Sequence, residues 1–296
     1  MARIIILMGL PGSGKSTYAK EYLADHIENT VWCSSDAIRK QLYGDENIQG
    51  NANTVFHHLH NKVAKYLREG YTVLYDATNI NRKSRRPIIE IAKAIGADIH
   101  GVITWATLEE CISRDATRER TVGPQVIDKF IKRWESPFYD EGFDSLEIVY
   151  NSEVKPFEYM QKLFSDMDIP HDNPHHTLDI VHHCMLAEEL MSNEVPGDGR
   201  LQFIMRYHDC GKPYTKFFKD EDLTHAHYYS HNNVGGYLIY GTYAGLEDTL
   251  NYDIMFVSWA ITNHMEPFFN SKYYQNMDPK LKYFIDVIHK CDRGAH

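Results

Sequence analysis

The sequence is poor in cysteine and has no long apolar run. Its five cysteines are scattered and form no C-x-x-C pair, which argues against a zinc ribbon or a redox motif and predicts buried thiols. Apolar runs such as residues 4–8 fall far short of the roughly 20 residues that a membrane helix needs. The chain also does not open on a basic segment that leads into a long apolar one. We therefore expect a cytoplasmic protein without a membrane partner.

The sequence also lacks an excess of basic residues. Its formal net charge of −10 argues against a large electrostatic surface for duplex nucleic acid, because such a surface needs clustered lysine and arginine. Binding of a short strand end remains compatible with this charge. Residues 1–150 hold 19 Lys and Arg against 20 Asp and Glu, whereas residues 151–296 hold 12 against 21.

Histidine is unevenly distributed as well, since 12 of the 17 lie after residue 150. This distribution suggests phosphate handling in the first half and metal handling in the second. The length of 296 residues fits about two domains. Because a polar, proline-containing stretch at 151–156 separates two patterns, we predict one domain over residues 1–152 and another over residues 153–296.

A glycine-rich motif lies between a predicted strand and a predicted helix. Residues 3–8 form a continuous apolar run typical of a parallel strand, and residues 9–17 match G-x-x-x-x-G-K-[ST]. Glycines let backbone N–H groups turn toward phosphate oxygens. We expect Lys15 to reach the β- and γ-phosphates of ATP and Ser16 to supply a hydroxyl to Mg²⁺. The predicted nucleotide-binding residues of this loop are Gly9, Gly12, Ser13, Gly14, Lys15, Ser16 and Thr17.

Two aspartates follow predicted strands of the same domain. Asp76 ends the strand-like residues 71–75 and is a candidate metal-side acid, or else a cap of the next turn. Phosphoryl transfer also needs a group that accepts or orients the acceptor proton, with cations nearby. Asp36 and Arg39 are the best pair for this task, and the alternative for Asp36 is a helix N-cap.

Two arginines are candidates for a lid. Arg114 and Arg118 are four residues apart on a predicted helix, so both would project from one face toward the donor phosphates. Acidic neighbours at 109, 110, 115 and 119 leave open a solvent-exposed helix with ion pairs. Arg120 fits the helical spacing less well.

Several of these segments together resemble the 5'-hydroxyl polynucleotide kinase branch of the P-loop phosphotransferases. They are residues 9–17, 35–39, 76–79 with the arginines at 82, 85 and 86, and 114–118. The resemblance covers about half the chain. The sequence departs from the family pattern at Ala77, where an aspartate is expected, and at Asp115, where an asparagine is expected.

This resemblance implies an α/β P-loop kinase domain with a parallel sheet and helices on both faces, and ATP with Mg²⁺ as its cofactors. It implies that Asp36 is the general base and that Arg39 grips the acceptor phosphate. It further implies that Arg114 and Arg118 bind the donor.

The pattern of the second half is helical and predicts a compact all-α domain rich in histidine. His176, Asp179 and His183 have the spacing of one helix face. His208 and Asp209 end a predicted helix, where the carbonyl dipoles favour a cation. Imidazole and carboxylate groups without cysteine suit a catalytic transition-metal site. Further candidates follow at His231, His264 and Asp292.

A histidine, then a His-Asp pair, then a late aspartate resembles the order of the HD metal-dependent phosphohydrolases. The resemblance implies an all-α HD-type domain that holds one or two divalent metals such as Mn²⁺, Fe²⁺, Co²⁺, Ni²⁺ or Zn²⁺. Such ions generate hydroxide and clamp phosphate oxygens. Lys212 and His176 are candidates to bind the substrate phosphate. The implied ligands are His183, His208, Asp209 and Asp292 for the core, with His231 and His264 for a second ion bridged by Asp209.

A 5'-kinase and an enzyme that removes terminal 2'- or 3'-phosphates together make broken nucleic-acid ends that a ligase can seal. We therefore predict a bifunctional end-healing enzyme for single-stranded or nicked RNA or DNA, with a ligase acting downstream. One alternative, which the acidic charge favours, is a nucleoside or nucleotide kinase fused to an HD nucleotidase. Another is a kinase regulated by a catalytically silent, ligand-sensing HD module. A polynucleotide would have to be held by Arg39, Arg82, Lys83, Arg85 and Arg86.

Overall fold

The structure is a computed structural model that describes residues 2–118, 120–173, 177–219, 222, 224–243 and 253–295. Its contacts divide the chain into two compact units, Met1–Phe130 with Pro137–Ser152 and Ile131–Ser136 with Glu153–His296. All five cysteines are buried thiols outside any disulfide, as predicted. Within the described ranges, no helix combines the length and the apolar character that crossing a membrane requires.

The first unit is built on a parallel sheet. Its described strands are β1 (Arg3–Met8), β2 (Thr30–Ser34), β3 (Thr72–Asp76), β4 (Asp98–Trp105) and β5 (Ser145–Tyr150), in the order β2-β3-β1-β4-β5. β1 lies at the centre and is buried from Ile4 onward, as the continuous apolar run predicts. The register places Asp76 beside Leu7, so the last residue of β3 lies next to the end of β1. The predicted parallel sheet is confirmed.

Helices supply the crossovers that parallel strands require. Those described in this unit are α1 (Lys15–Asp25), α2 (Ser35–Tyr43), α3 (Ala52–Arg68), α4 (Arg82–Ile95), α5 (Leu108–Ala116) and α6 (Pro124–Ile131), with 3-10 turns at Ile27–Asn29 and Tyr139–Glu141. The strand order reverses around β1, between β3 and β4. Ligands of open α/β sheets bind at such a reversal, beyond the carboxyl ends of the strands.

The described part of the second unit is mostly helical, in agreement with the prediction. Its helices are α7 (Pro156–Asp166), α8 (Ile180–Glu194), α9 (Gly199–Tyr207), α10 (Lys212–Thr215), α11 (His231–Leu238), α12 (Ile254–Asn263), α13 (Glu266–Phe269), α14 (Lys272–Gln275) and α15 (Pro279–Gly294), with a 3-10 turn at Ile239–Thr242. α8 packs against α9 and α15, and α11 packs against α12.

One short antiparallel pair departs from the expected all-α domain. β6 (Phe217–Phe218) pairs with β7 (Ala226–His227), and Phe217 lies opposite His227. Strands of two residues are too short to produce an alternating apolar pattern, so periodicity does not reveal them.

Residues 131–136 belong to the second unit, although the sequence prediction assigns them to the first domain. The Trp134 side chain is fully buried, with its ring centroid 5.2 Å from that of Tyr237. The Ser136 hydroxyl oxygen lies 2.6 Å from that of Ser258. These partners are about a hundred residues away in sequence, so local composition, which located the predicted boundary, carries no information about them.

Candidate functional site

The loop between β1 and α1 has the backbone of a phosphate-binding turn. Gly9, Gly12 and Gly14 have φ values of 146°, 84° and 102°, a region that side chains disfavour. A Cβ atom at Gly12 would lie 2.3 Å from the carbonyl oxygen of Cys111. Gly14 caps α1 without a side-chain hydrogen bond. The first N–H groups of α1 therefore have no intrahelical acceptor and are suited to an anion.

The Lys15 ammonium lies over this loop. Its Nζ donates to the carbonyl oxygens of Gly9 at 2.9 Å and Leu10 at 2.8 Å. Burial lowers the pKa of Lys15, and the nearby Asp76 carboxylate opposes that effect. Burial in turn raises the pKa of the Asp76 carboxyl, which Lys15 opposes. The two groups thus act on each other across the end of the sheet, where the motif places a nucleotide and its metal.

The hydroxyl groups of the motif differ in their surroundings. Ser13 is buried, and its Oγ lies 2.7 Å from Oγ1 of Thr104 on β4, so it anchors the loop. Ser16 is half-buried and Thr17 is exposed in the first turn of α1. Ser16 therefore has the position and the hydroxyl that coordination of a phosphate-bound Mg²⁺ requires.

Asp36 lies in the first turn of α2 between two arginines. NH1 of Arg39 is 2.5 Å from its Oδ1, and NH1 of Arg120 is 3.1 Å from its Oδ2. The N-cap of α2 is Ser34, whose Oγ accepts from the Ala37 N–H at 3.1 Å, so the cap alternative for Asp36 is wrong. The Asp36 side chain is 49% exposed, which leaves its carboxylate accessible to an acceptor.

Of the two predicted lid arginines, only Arg114 lies within α5. Arg114 lies in the last turn of α5, where its NH2 is 3.6 Å from Oε1 of Glu110 and its side chain is 42% exposed. Arg118 follows the end of α5. It lies close enough to Lys15 and Asp76 to lower the pKa of both groups. Arg118 therefore lies within electrostatic range of the phosphate loop, whereas Arg114 forms a surface ion pair.

Asp115 explains the end of α5. It is buried, and its Oδ2 accepts from the backbone N–H groups of Val122 at 3.0 Å and Gly123 at 2.9 Å. These bonds fold the chain back after the helix, so the residues beyond it no longer follow helical spacing. The fold-back places Arg120 on Asp36, a position that the spacing did not predict.

Arg85, considered above for holding a polynucleotide, is a structural residue. Its side chain is fully buried, with Nε 2.8 Å from Oε2 of Glu141 and NH2 2.6 Å from Oε1. NH1 donates to the Asn79 carbonyl at 3.1 Å. Arg86 is exposed and its Nε lies 2.7 Å from Oε1 of Glu90. Arg85 is thus unavailable to a ligand.

In the second unit, six predicted metal ligands converge from five helices or helix ends. His176, a predicted phosphate-binding residue of this site, lies outside the described residues. Most of the six side chains are buried, and two groups with metal-ligand spacing share Asp209. The converging residues are His183 on α8, His208 and Asp209 after α9, His231 on α11, His264 after α12 and Asp292 on α15.

The first group lies around Oδ2 of Asp209. Nε2 of His183 is 3.3 Å from Nε2 of His208 and 3.0 Å from Oδ1 of Asp292. Asp209 Oδ2 is 3.6 Å from the His183 nitrogen and 3.5 Å from the His208 nitrogen. Donor atoms that share one ion at about 2.1 Å lie about 3.0 to 3.4 Å apart. The separations are thus close to those of a shared ion.

The second group lies around the other oxygen of the same carboxylate. Oδ1 of Asp209 is 3.2 Å from Nε2 of His231 and 3.9 Å from Nε2 of His264. The two histidine nitrogens are 3.2 Å apart. Burial, helped by His231, lowers the pKa of His264 to about 3, which keeps that ring neutral. Asp209 therefore presents one oxygen to each group of histidines.

The other ring nitrogen of each histidine fixes the orientation of its ring. A carbonyl oxygen only accepts, so Nδ1 carries the proton and Nε2 is left for a cation. Burial lowers the pKa of His208, but Asp209 and other neighbours raise it well above its ordinary value. The Nδ1 contacts are His183 to Ala295 O at 2.6 Å, His208 to Met205 O at 2.7 Å, His231 to Tyr228 O at 2.9 Å and His264 to Ile261 O at 2.7 Å.

Lys212 and an unpredicted histidine complete this cluster. Lys212 is buried, with Nζ 2.5 Å from Oδ2 of Asp209 and 3.1 Å from Nε2 of His171. His171 donates from Nδ1 to the Leu178 carbonyl at 2.7 Å. Burial, helped by Lys212, lowers the pKa of His171 to about 4, so its Nε2 accepts from the ammonium. His171 has no helical spacing to the predicted metal ligands, so the sequence did not reveal its place in this cluster.

Comparison with known proteins finds matches to the part of the chain that contains the phosphate loop. Residues 4–137 match the family model of an AAA domain. Transcription factor bHLH140 of Arabidopsis thaliana is 28% identical over 155 residues, which are 50% of this chain and 16% of that protein. L-seryl-tRNA(Sec) kinase of Methanococcus maripaludis is 25% identical over 161 residues, 51% of this chain and 60% of that protein. The chain thus spans less than two thirds of either relative.

Among solved structures, the Pnkp1/Rnl/Hen1 RNA repair complex is 22% identical with a TM-score of 0.41, covering 45% of this chain and 43% of that chain. The family match and the loop geometry confirm the predicted P-loop nucleotide-binding domain. The resemblance of the second half to HD phosphohydrolases stays a prediction.

Proposed function

We propose that this chain is a bifunctional enzyme that heals nucleic-acid ends. Its first unit is an ATP-dependent 5'-hydroxyl polynucleotide kinase, and its second is a metal-dependent phosphomonoesterase that removes terminal 2'- or 3'-phosphates. The observation that carries the proposal is that four histidines converge with Asp209 and Asp292 in the second unit of a chain whose first unit holds a P-loop.

In the kinase unit, the loop N–H groups and Lys15 bind the β- and γ-phosphates of ATP, and Ser16 and Asp76 hold Mg²⁺. Asp36 accepts the proton of the acceptor hydroxyl as its oxygen attacks the γ-phosphorus and the bond to ADP breaks. Arg118, whose charge acts on Lys15 and Asp76, neutralises charge on the transferred phosphoryl group. The chain thereby supplies both a base for the acceptor and a cation for the transferred phosphoryl group.

Arg39 and Arg120 have a second task in this unit. Both contact the Asp36 carboxylate, so they hold the base in one orientation. Their remaining N–H donors suit an acceptor phosphate, because a guanidinium group presents five donors in a planar arrangement.

In the second unit, His183, His208, Asp209 and Asp292 are the residues that hold one divalent ion, and Asp209, His231 and His264 hold another. Bound cations supply the Lewis acidity that activates water and neutralises the phosphate. Nitrogen and oxygen donors without thiolate suit Mn²⁺, Fe²⁺, Co²⁺, Ni²⁺ or Zn²⁺.

Lys212 and His171 support this chemistry from the protein side. The Lys212 ammonium offsets the charge of Asp209 and offers a donor to a phosphate oxygen. His171 accepts from Lys212 and fixes its direction. The pair therefore positions a positive charge beside the metal ligands without adding a competing carboxylate.

Two considerations support a polynucleotide as the substrate. A ligase needs ends with a 5'-phosphate and without a 3'-phosphate, so the two activities would prepare the same kind of strand for sealing. One curated relative of the first unit is named as a kinase of seryl-tRNA(Sec), whose named acceptor is attached to RNA. A ligase that seals the product is accordingly the proposed downstream partner.

A nucleoside or nucleotide kinase joined to a nucleotidase is the second candidate. Two observations favour it: the net charge of −10, and the burial of Arg85 against Glu141, which removes one of the cations considered for holding a strand.

Labelled substrates decide between the two candidates. The full chain is given γ-labelled ATP with either a 5'-hydroxyl oligonucleotide or a mononucleoside, and separately a 3'-phosphorylated oligonucleotide or a mononucleotide with Mn²⁺. End healing predicts label on the oligonucleotide and phosphate release from its 3' end. Transfer to mononucleosides alone would overturn the proposal, and so would a second unit that releases no phosphate from any strand.

A further inference from the structure

Three aromatic rings cluster at the surface of the second unit, two of them exposed and one, His227, half-buried. We call this cluster the aromatic platform: Phe217, His227 and Tyr229. The ring centroid of Phe217 lies 5.4 Å from that of His227 and 5.5 Å from that of Tyr229. The rings of His227 and Tyr229 are 5.5 Å apart and inclined by only 23°. Phe217 is 38% exposed and Tyr229 is 58% exposed. Exposed aromatic clusters of this kind mark binding surfaces.

The short antiparallel pair creates the platform. Phe217 lies directly opposite His227 in the register, and opposed residues of an antiparallel pair place their side chains on one face. Tyr229 is two residues beyond His227, and the stacking of the two rings keeps it on that same face. The strands β6 and β7 thus hold the three rings together at the surface.

A cation accompanies the rings. Nζ of Lys219 lies 5.2 Å from the ring centroid of Tyr229 and 3.2 Å from its hydroxyl oxygen. Rings that stack with bases, beside cations that meet phosphates, are the combination by which proteins bind single-stranded nucleic acid. A cation at the edge of the platform therefore favours a nucleotide over an apolar ligand.

The platform is adjacent to the histidine and aspartate cluster in the same unit. Tyr228 precedes Tyr229, its carbonyl accepts from Nδ1 of His231 at 2.9 Å, and its ring centroid is 5.6 Å from Nζ of Lys212. Tyr229 is two residues from His231, so their Cα atoms are at most about 7 Å apart. Tyr229 and the candidate ligand His231 are thus close neighbours.

We propose that the aromatic platform binds the terminal bases of a single strand whose end phosphate lies among the metal ligands. This inference rests on the proposed phosphohydrolase function and adds to it a substrate class: single-stranded polynucleotide, recognised by base stacking. Stacking tolerates any base, because every base has a π-face. The platform therefore favours a strand of any sequence over a small phosphomonoester.

The test combines changes in the protein with a change in the strand. Phosphate release is measured with the full chain on a single strand ending in a 3'-phosphate, prepared as DNA and as RNA, and on the same strand with its last three nucleotides abasic. The variants are Phe217→Ala, Tyr229→Ala and Tyr229→Trp. Phe268→Ala is the matched control, since Phe268 is 71% exposed and also packs against another ring.

We expect Tyr229→Ala to raise KM about tenfold on the intact strand, the loss of one stacked base, with kcat retained. Tyr229→Trp should restore KM, and Phe268→Ala should leave it unchanged. On the abasic strand, KM is already high and the increase caused by Tyr229→Ala should be absent. An equal increase on both strands, or none on either, would overturn the proposal.

Binding without catalysis separates this proposal from the proposed function. Fluorescence anisotropy measures the Kd of the labelled strand for the full chain in EDTA and without ATP. If the wild type releases no phosphate from any substrate, the proposed phosphohydrolase function is wrong. The Kd alone then tests whether the platform binds the strand. A Kd about tenfold weaker in Phe217→Ala and Tyr229→Ala supports base stacking, whereas an unchanged Kd overturns it.

Discussion

Nε2 of His183 lies 3.3 Å from Nε2 of His208, while Nδ1 of each ring donates to a backbone carbonyl. Two lone pairs at this distance repel each other unless a cation lies between them. Both rings are buried, so water does not relieve the repulsion. Occupation of this space by a cation is therefore linked to the stability of the second unit.

Metal binding should stabilise the second unit. Mn²⁺ at one hundred times its Kd adds about 2.7 kcal/mol, which raises the thermal midpoint by about 5 to 10 °C over that in EDTA. Asp209→Asn removes the carboxylate shared by both histidine groups and should abolish the increase. Asp179→Asn is the control, because Asp179 caps α8, contacts the His182 ring and belongs to neither histidine group, and asparagine caps equally well. Differential scanning fluorimetry measures the midpoints, and equal wild-type midpoints with and without metal would contradict the linkage.

Arg118 should matter more to the kinase than Arg114. Arg118→Ala removes a cation that acts on Lys15 and Asp76, so kcat/KM for ATP should fall about a hundredfold. Arg114→Ala breaks an exposed ion pair with Glu110 and should cost no more than about fivefold. Initial rates over a range of ATP concentrations check this order. A larger loss of kcat/KM from Arg114→Ala than from Arg118→Ala would contradict this prediction.

The phosphate loop and the parallel strands were predictable from the sequence, whereas the chain path after α5 was not. Residues 9–17 were predictable because a phosphate loop is local and its glycines are required by its own backbone. The parallel strands were predictable because burial on both faces produces continuous apolar runs. The contact of Arg120 with Asp36 was not predictable, because a buried aspartate, Asp115, turns the chain after α5 and helical spacing does not include that turn.

The second unit shows the same limit. His-Asp at a helix end and a late aspartate are visible in the sequence, whereas His171 is recognisable only from its contact with Lys212 across 41 residues. Residues 131–136 join this unit through Trp134 and Ser136, whose partners lie about a hundred residues away. Long-range contacts of this kind leave no periodic pattern.

The pKa of His171 predicts a pH dependence of stability. Its folded value is about 4, below the ordinary value of 6.5, so the unfolded chain takes up a proton first as the pH falls. The stability that His171 contributes is present above pH 6.5 and is lost as the pH falls toward 4. His171→Gln, which does not titrate, should therefore lose less stability between pH 7 and pH 5 than the wild type.

Thermal midpoints in EDTA at pH 7, 6 and 5 measure this difference. His182→Gln is the matched control, because His182 is exposed and its ring nitrogen contacts only the Asp179 carboxylate among the described contacts. Parallel curves for His171→Gln and the wild type would contradict this account, because they would mean that His171 has the same pKa in the folded and the unfolded chain.

Trp134 should be essential to the second unit. Trp134→Ala empties a buried site beside Tyr237 and should cost about 3 to 5 kcal/mol of unfolding free energy. Phe157→Ala is the control within the same unit, since Phe157 is 59% exposed and should change stability by less than about 0.5 kcal/mol. Urea unfolding followed by circular dichroism compares them. A small effect of Trp134→Ala would mean that residues 131–136 contribute little to the core.

The most direct measurement uses one oligonucleotide that carries both a 5'-hydroxyl and a 3'-phosphate. It is incubated with ATP, Mg²⁺ and Mn²⁺ and with the wild type, Asp36→Asn or Asp209→Asn, and both ends are analysed by mass spectrometry. Two separate centres predict that the wild type converts both ends, that Asp36→Asn loses only 5' phosphorylation and that Asp209→Asn loses only 3' dephosphorylation. Loss of both conversions in either variant, or a wild type that leaves the 3'-phosphate in place, would contradict the account.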